Sequence, residues 1–180
     1  ATTGSAVNTV ADSFTLTTGV QAANTFTDTH TLDAIRHTLT DTAGVLDVTY
    51  RMDLGPTGVP TGLKLFGALT GNNDSVGLYA WNWITSQWNQ VGTKSGGSSS
   101  NNSTTSYDLL TAHVGTGANV GLTDIRFYGT GLTIATLYID QLIVAQTFAE
   151  GGIANGSTVT LNEAITNKNL IGNNWKLDLN

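Results

Sequence analysis

The chain contains no cysteine, which excludes disulfide staples and thiolate metal sites at the outset. It has two prolines, one methionine and only two glutamates, Glu150 and Glu163. Charged residues make up 11% of the sequence, less than half the ordinary share of about a quarter. Seven basic residues are scattered along a chain of net charge −6, so no basic patch exists to neutralise phosphates, and nucleic acid is not expected as a partner. No apolar run approaches the roughly 18 residues of a membrane-spanning helix, so no membrane insertion is expected. No stretch shows an amphipathic helical period either. Starting at Ala1 rather than Met, the chain reads as processed or as a piece of something longer.

What is present is Thr, Ser, Asn and Gly, together with 39% hydrophobic residues arranged in short repeated runs. That is enough to build a core, so disorder is not expected. An uncharged surface rich in hydroxyls and amides points to an extracellular or virion-surface setting. The runs alternate with period two, the signature of strands with one buried face. In "GVLDVTYRMDLG", Leu46, Val48, Tyr50, Met52 and Leu54 oppose Asp47, Thr49, Arg51 and Asp53, which are expected to face solvent. "SFTLTTGV" and "AIRHTLT" repeat the pattern, the second placing His37 with Ile35 and Leu39 as a core or edge histidine.

"GPTGVPTG", which holds both prolines, reads as a loop, and "KSGGSSSNNSTTS" as a longer polar one. "YDLLTAHV" fits a strand or a short helical turn. "ATLYIDQLIVAQ" is apolar on both faces, as in a central strand covered on both sides. Eight to ten strands without helical crossovers predict an all-β fold, an antiparallel jelly-roll β-sandwich over residues 1–148. Residues 149–180 are expected to form a short β-rich C-terminal extension, too small for its own core, that serves as an assembly element or begins a β-helical or trimeric shaft.

Few chemical constellations survive inspection. Both glutamates lie in the C-terminal extension, so the paired carboxylates of a glycosidase are not expected in the sandwich. No G-x-S-x-G elbow is present, and His30, His37 and His113 stand at no zinc-ligand spacing. No catalytic residues are therefore assigned. Asp28, Asp33 and Asp140 could hold a structural calcium ion beneath a loop. The alternative is that Asp28 and Asp33 cap turns while Asp140 binds nearby backbone N–H groups. No other cofactor is expected. Glycosylation sequons stand at Asn73, Asn101, Asn102 and Asn155.

The most distinctive stretch is "LYAWNWITSQWNQVG", which holds three of the four tryptophans. It reads as a hairpin in which Tyr79, Trp81 and Trp83 share one face, joined by Trp88 on the return strand. The opposite face, Leu78, Ala80 and Asn82, is thin for a core. The rings are therefore expected to turn inward, with a subunit interface or a carbohydrate platform as alternatives. In the last case Tyr79, Trp81, Trp83 and Trp88 would stack on sugars, with Asn82, Asn89 and Gln90 supplying polar contacts. A kelch-type blade would repeat this motif, which occurs once.

Together, "TGVQAANTFTDTHTLDAIRHTLTD", "GVLDVTYRMDL", "LYAWNWITSQWNQVG", "IRFYGTG" and "LYIDQLIVA" resemble the galactose-binding-like jelly-roll modules of phage tail-fibre, appendage and head-decoration proteins. The resemblance runs from about Thr17 to Ala145. It implies a non-enzymatic structural or adhesive protein of the virion surface. Its partners would be other virion proteins and itself, as a homo-oligomer and, in a fibre, a trimer. Two other functions fit the residues: a carbohydrate-binding module that takes surface glycans, and a cell-surface filament subunit that assembles by strand donation.

Overall fold

The computed structural model describes residues 7–71, 73–98 and 103–148. Among them run eleven strands: β1 (Val7–Val10), β2 (Ser13–Thr18), β3 (Val20–Ala23), β4 (His37–Thr40), β5 (Val45–Asp53), β6 (Gly58–Leu69), β7 (Ser75–Asn82), β8 (Gln87–Ser95), β9 (Ser103–Asp108), β10 (Leu122–Thr130) and β11 (Thr136–Phe148). The only helices among the described residues are three short 3-10 turns. The strands form two antiparallel sheets in the predicted jelly-roll sandwich. One has the order β2-β5-β10-β7-β8. The other has the order β3-β4-β11-β6-β9, with β1 pairing the far end of β11 from Val7↔Gln146 to Val10↔Ile143. The predicted extension over residues 149–180 lies outside the described residues, as do the sequons at Asn101, Asn102 and Asn155.

The core lies between the sheets. From the five-stranded sheet, Leu46, Val48, Tyr50, Met52, Val76, Leu78, Ile125 and Phe127 are fully buried. They meet Leu39, Leu63, Leu65, Leu137, Ile139, Leu142 and Val144 of the other sheet. β5 keeps the predicted alternation throughout. Gly19 lets the chain leave one sheet at the end of β2 and enter the other at β3. Its φ of +123° and a Thr40 carbonyl 2.8 Å from where a Cβ would stand leave no room for a side chain. His37 is buried as expected and shares a 2.7 Å hydrogen bond with the Tyr50 hydroxyl. Ile35, expected beside it, precedes β4 and is 48% exposed.

Three other expectations are corrected. The "GPTGVPTG" stretch is not a loop throughout, because β6 begins at Gly58 and carries Pro60. The proline is tolerated because it lies at a register shift against β11 and beyond Gly62, where pairing with β9 starts. The polar "KSGGSSSNNSTTS" run contains the end of β8 and the start of β9. β11 is central and buried on both faces only over residues 142–144, where outward Ile143 is 5% exposed; at Tyr138, Gln141 and Ala145 its outer face is half-buried. A bulge between Ile139 and Gln141 shifts the inward phase from Leu137 and Ile139 to Leu142 and Val144. The bulge makes one continuous core face look like two in the sequence.

Two aspartates, half-buried Asp41 and buried Asp74, hold the connections. Asp41 accepts from the backbone N–H groups of Gly44 (2.9 Å) and Ala135 (2.6 Å). Asp74 accepts from the N–H of Thr133 at 3.0 Å. Within a low-dielectric edge, such charge-assisted bonds replace the missing ladder bonds of the loops.

Candidate functional site

The phase of β7 decides where its rings go. Val76, Leu78 and Ala80 are fully buried, whereas Tyr79 and Trp81 are half-buried and lie on the outer face of the sheet. The expectation that the rings turn inward is therefore overturned. The physical reason lies on the neighbouring strand. Leu78 pairs with Phe127 and Ala80 with Ile125, both fully buried. A thin core face on one strand accommodates bulky side chains on the next, which keeps the interior close-packed. Gly77 contributes on the outside, where an added Cβ would stand 2.6 Å from the Tyr79 ring.

The outer face carries a row of paired positions across the sheet, Thr15, Thr49, Arg126, Tyr79 and Gln90. Around Arg126 the rings gather. Its guanidinium lies 4.5 Å from the Tyr128 ring centroid and 5.5 Å from that of Trp88. Tyr79 meets Tyr128 edge-on at 6.5 Å. Trp88 pairs with Trp81 across the hairpin, the rings 5.2 Å apart and inclined at 69°. Trp83, in the turn, meets Trp81 at 6.5 Å and 86°. The tryptophans therefore form an edge-to-face group, not a flat platform.

Both arginines of this face are neutralised. Arg126 makes a bidentate pair with Asp47 at 2.7 and 2.8 Å, and Arg51 makes one with Asp124 at 2.7 Å for both bonds. These hydrogen bonds hold both guanidinium pKa values above their ordinary range. Asp47, expected to be a solvated carboxylate, is only 7% exposed because Arg126 lies against it, while Asp53 is exposed as expected. Pairing was legible only with the register: Asp47 stands opposite Tyr128 on β10, two residues from Arg126. Arg126 and Tyr128 are the members of the face that sequence reasoning missed. Their alternation in "IRFYGTG" with buried Ile125 and Phe127 was the available signal.

Asn82 is not part of the ring face. It is buried on the inner side, and its side-chain oxygen accepts from the N–H groups of Ile84 and Thr85, both at 3.0 Å, closing the hairpin turn. The three aspartates considered for calcium are engaged with the chain. Asp28 accepts from the N–H of Thr25 at 2.7 Å, and Asp33 from that of Ile35 at 2.9 Å. Asp140, in the β11 bulge, accepts from the N–H groups of Asp33 and Ala34 at 3.2 and 3.1 Å. Among the described residues no three metal-ligating side chains come together. His30 donates to the Ala11 carbonyl at 2.8 Å, and His113 Nδ1 accepts from the Leu110 N–H at 3.1 Å. Among the described residues no helix is long and apolar enough to cross a membrane.

No protein family and no curated protein matches the sequence. Solved structures do match in shape. A mutant of a family 29 carbohydrate-binding module aligns with TM-score 0.53 and 13% identity, over 78% of this chain and 92% of that one. A second mutant of such a module, CBM29-2, complexed with cellulohexaose, aligns with TM-score 0.52 and 13% identity, over 78% and 91% of the two chains. At this identity the likeness is one of architecture: the chain shares the jelly-roll sandwich on which these carbohydrate-binding modules are built.

Proposed function

We propose that this chain is a non-catalytic carbohydrate-binding module that takes a neutral glycan on the outer face of its five-stranded sheet. The observation that carries the reading is the outward cluster of Tyr79, Trp81, Trp83, Trp88 and Tyr128 around the paired Arg126. Aromatic rings left at a surface without a partner mark an interaction site. Sugar rings present C–H faces that pack on such side chains, while their hydroxyls bond to polar groups beside them. Gln90, Thr49 and the two carboxylate–guanidinium pairs supply those groups. The bidentate pairs leave no uncompensated cation on the face, which favours an uncharged ligand.

The mutual tilt of the rings suits a soluble chain or chain end gripped from more than one side. It does not suit a flat crystalline polysaccharide. The shared architecture with carbohydrate-binding modules supports the reading, although the ligands of those modules are theirs. Such a module serves equally at the tip of a virion appendage, on a cell surface or beside a secreted enzyme. The flanking sequence separates these settings, and sizing the full chain tests the homo-oligomer that a fibre requires.

The test is a screen of soluble oligosaccharides by affinity electrophoresis, followed by titration calorimetry of the hit with Trp81→Ala and Trp88→Ala. Each substitution is expected to weaken binding at least tenfold while leaving the thermal midpoint within a few degrees. Undiminished binding by the double variant would overturn the assignment of the site.

A further inference from the structure

At the side of the sandwich where β8 and β9 face one another, the interior turns polar. Leu63 pairs with Tyr107, Leu65 with Thr105 and Gly67 with Ser103, so these β9 side chains point the same way as buried Leu63 and Leu65. From the opposite sheet, Gly92 and Lys94 of β8 point toward them. Tyr107 covers Gly92 so closely that a Cβ there would stand 2.1 Å from its ring. One layer further along, Lys94 is only 6% exposed, and its ammonium donates to the Ser103 hydroxyl at 2.9 Å. Beside it lies a cleft of about 250 Å³, lined by Leu69, Thr93, Ser95, Gly97 and Thr105 as well as the Lys94–Ser103 pair.

Among the described residues the charge on Lys94 has no counterpart. Taking an ammonium out of water costs several kcal/mol, and proteins ordinarily offset that with a carboxylate. Arg51 and Arg126 each have one, whereas among the described residues no carboxylate forms an ion pair with Lys94. A neutral hydroxyl satisfies one of its three donors and cancels no charge. Burial accordingly lowers the pKa of this lysine.

We infer that this cleft binds an oxyanion, a carboxylate or sulfate group, with Lys94 as its charge partner and Ser103 as a hydrogen-bond donor. The Ser103 oxygen accepts from Lys94 and keeps its own proton to donate. A volume of about 250 Å³ is roughly eight times a water molecule's share of the liquid, which accommodates a sugar ring carrying the acid as well as a free anion. The site is separate from the ring face. Lys94 points inward from β8, whereas Trp88 and Gln90 of the same strand point outward.

The experiment uses the full chain at constant ionic strength and three probes: sodium sulfate, sodium glucuronate and, as neutral control, glucose. Thermal midpoint and amide chemical shifts are followed as each is titrated. The expected result is a saturable response confined to β8 and β9, absent with glucose, lost in Lys94→Met and at least fivefold weaker in Ser103→Ala. A response to glucuronate well below the concentration needed for sulfate assigns the cleft to an acidic sugar. Equal or stronger response to sulfate assigns it to a free anion, and both results uphold the inference. Identical responses in wild type and Ser103→Ala, or in wild type and a folded Lys94→Met, overturn it. Lys94 would then be an inward charge that guards a sheet edge. Trp81→Ala should leave the anion response intact, so failure here is distinguishable from failure of the glycan face.

Discussion

On the outside of the five-stranded sheet, Tyr79, Trp81, Trp88 and Tyr128 stand around Arg126. On the outside of the six-stranded sheet, β6 and the edge strand β9 pair Lys64 with Ser106 and Phe66 with Thr104, and among the described residues the ring–cation contact is Arg36 over Tyr138 at 4.9 Å. Both faces obey the same alternation over the same core. The difference therefore comes from the choice of outward residues and not from the demands of the fold. Large rings held half-exposed by neutralised charges contribute little to closing the sandwich, and their concentration on one face is what marks that face for a ligand.

This contrast can be broken at several points, and the inner side of the ring-bearing sheet should be the most sensitive. Phe127→Ala removes a fully buried ring and should cost about 3–5 kcal/mol in urea-induced unfolding. A loss below about 1 kcal/mol would mean that the core does not lie behind the ring face. Acid should act next. Burial lowers the pKa of His37 from 6.5 to about 4, only partly countered by Asp28, and burial lowers that of His113 as well. The unfolded chain then binds more protons than the folded one below pH 6.5. The stability from neutral His37 is thus complete above pH 6.5 and is lost as pH falls toward 4, by about 3 kcal/mol in all. A thermal midpoint that stays flat between pH 7 and 4.5 would contradict this.

Smaller changes should sharpen the comparison. Asp47→Asn leaves Arg126 without its anionic partner and should cost about 1–2 kcal/mol, less than the loss of a core ring. It should also shift the preference of the face toward acidic glycans, measurable by affinity electrophoresis with a sulfated and an unsulfated polymer. Lys64→Ala, on the exposed outer position of the six-stranded sheet, should change stability by no more than about 0.5 kcal/mol and leave glycan retention unaltered. Any effect on retention would place the ligand on the wrong sheet.

Much of the fold was legible because side chains alternate between the two faces along the whole of β5, and such alternation has one physical solution in a sandwich. The face of β7 was misjudged because its inner side was weighed alone. Ala80 is small because Ile125 beside it is large, and that compensation crosses strands far apart in sequence. Asp140 hid the bulge for a similar reason. Its partners, the N–H groups of Asp33 and Ala34, lie more than a hundred residues away. The virion assignment drew on strand patterns, which report architecture. The matched solved structures described above, with their architecture in common, are carbohydrate-binding modules.

The pairing of β1 with β11 has a practical consequence. Val7 stands opposite Gln146, so the chain enters and leaves the sandwich at adjacent points on one sheet. A short linker between those points should permit circular permutation, with new ends cut in the exposed turn at Ile84–Ser86. For the same reason the module can be spliced into a loop of a host protein without prying its own strands apart, as a cassette rather than a bead on a string.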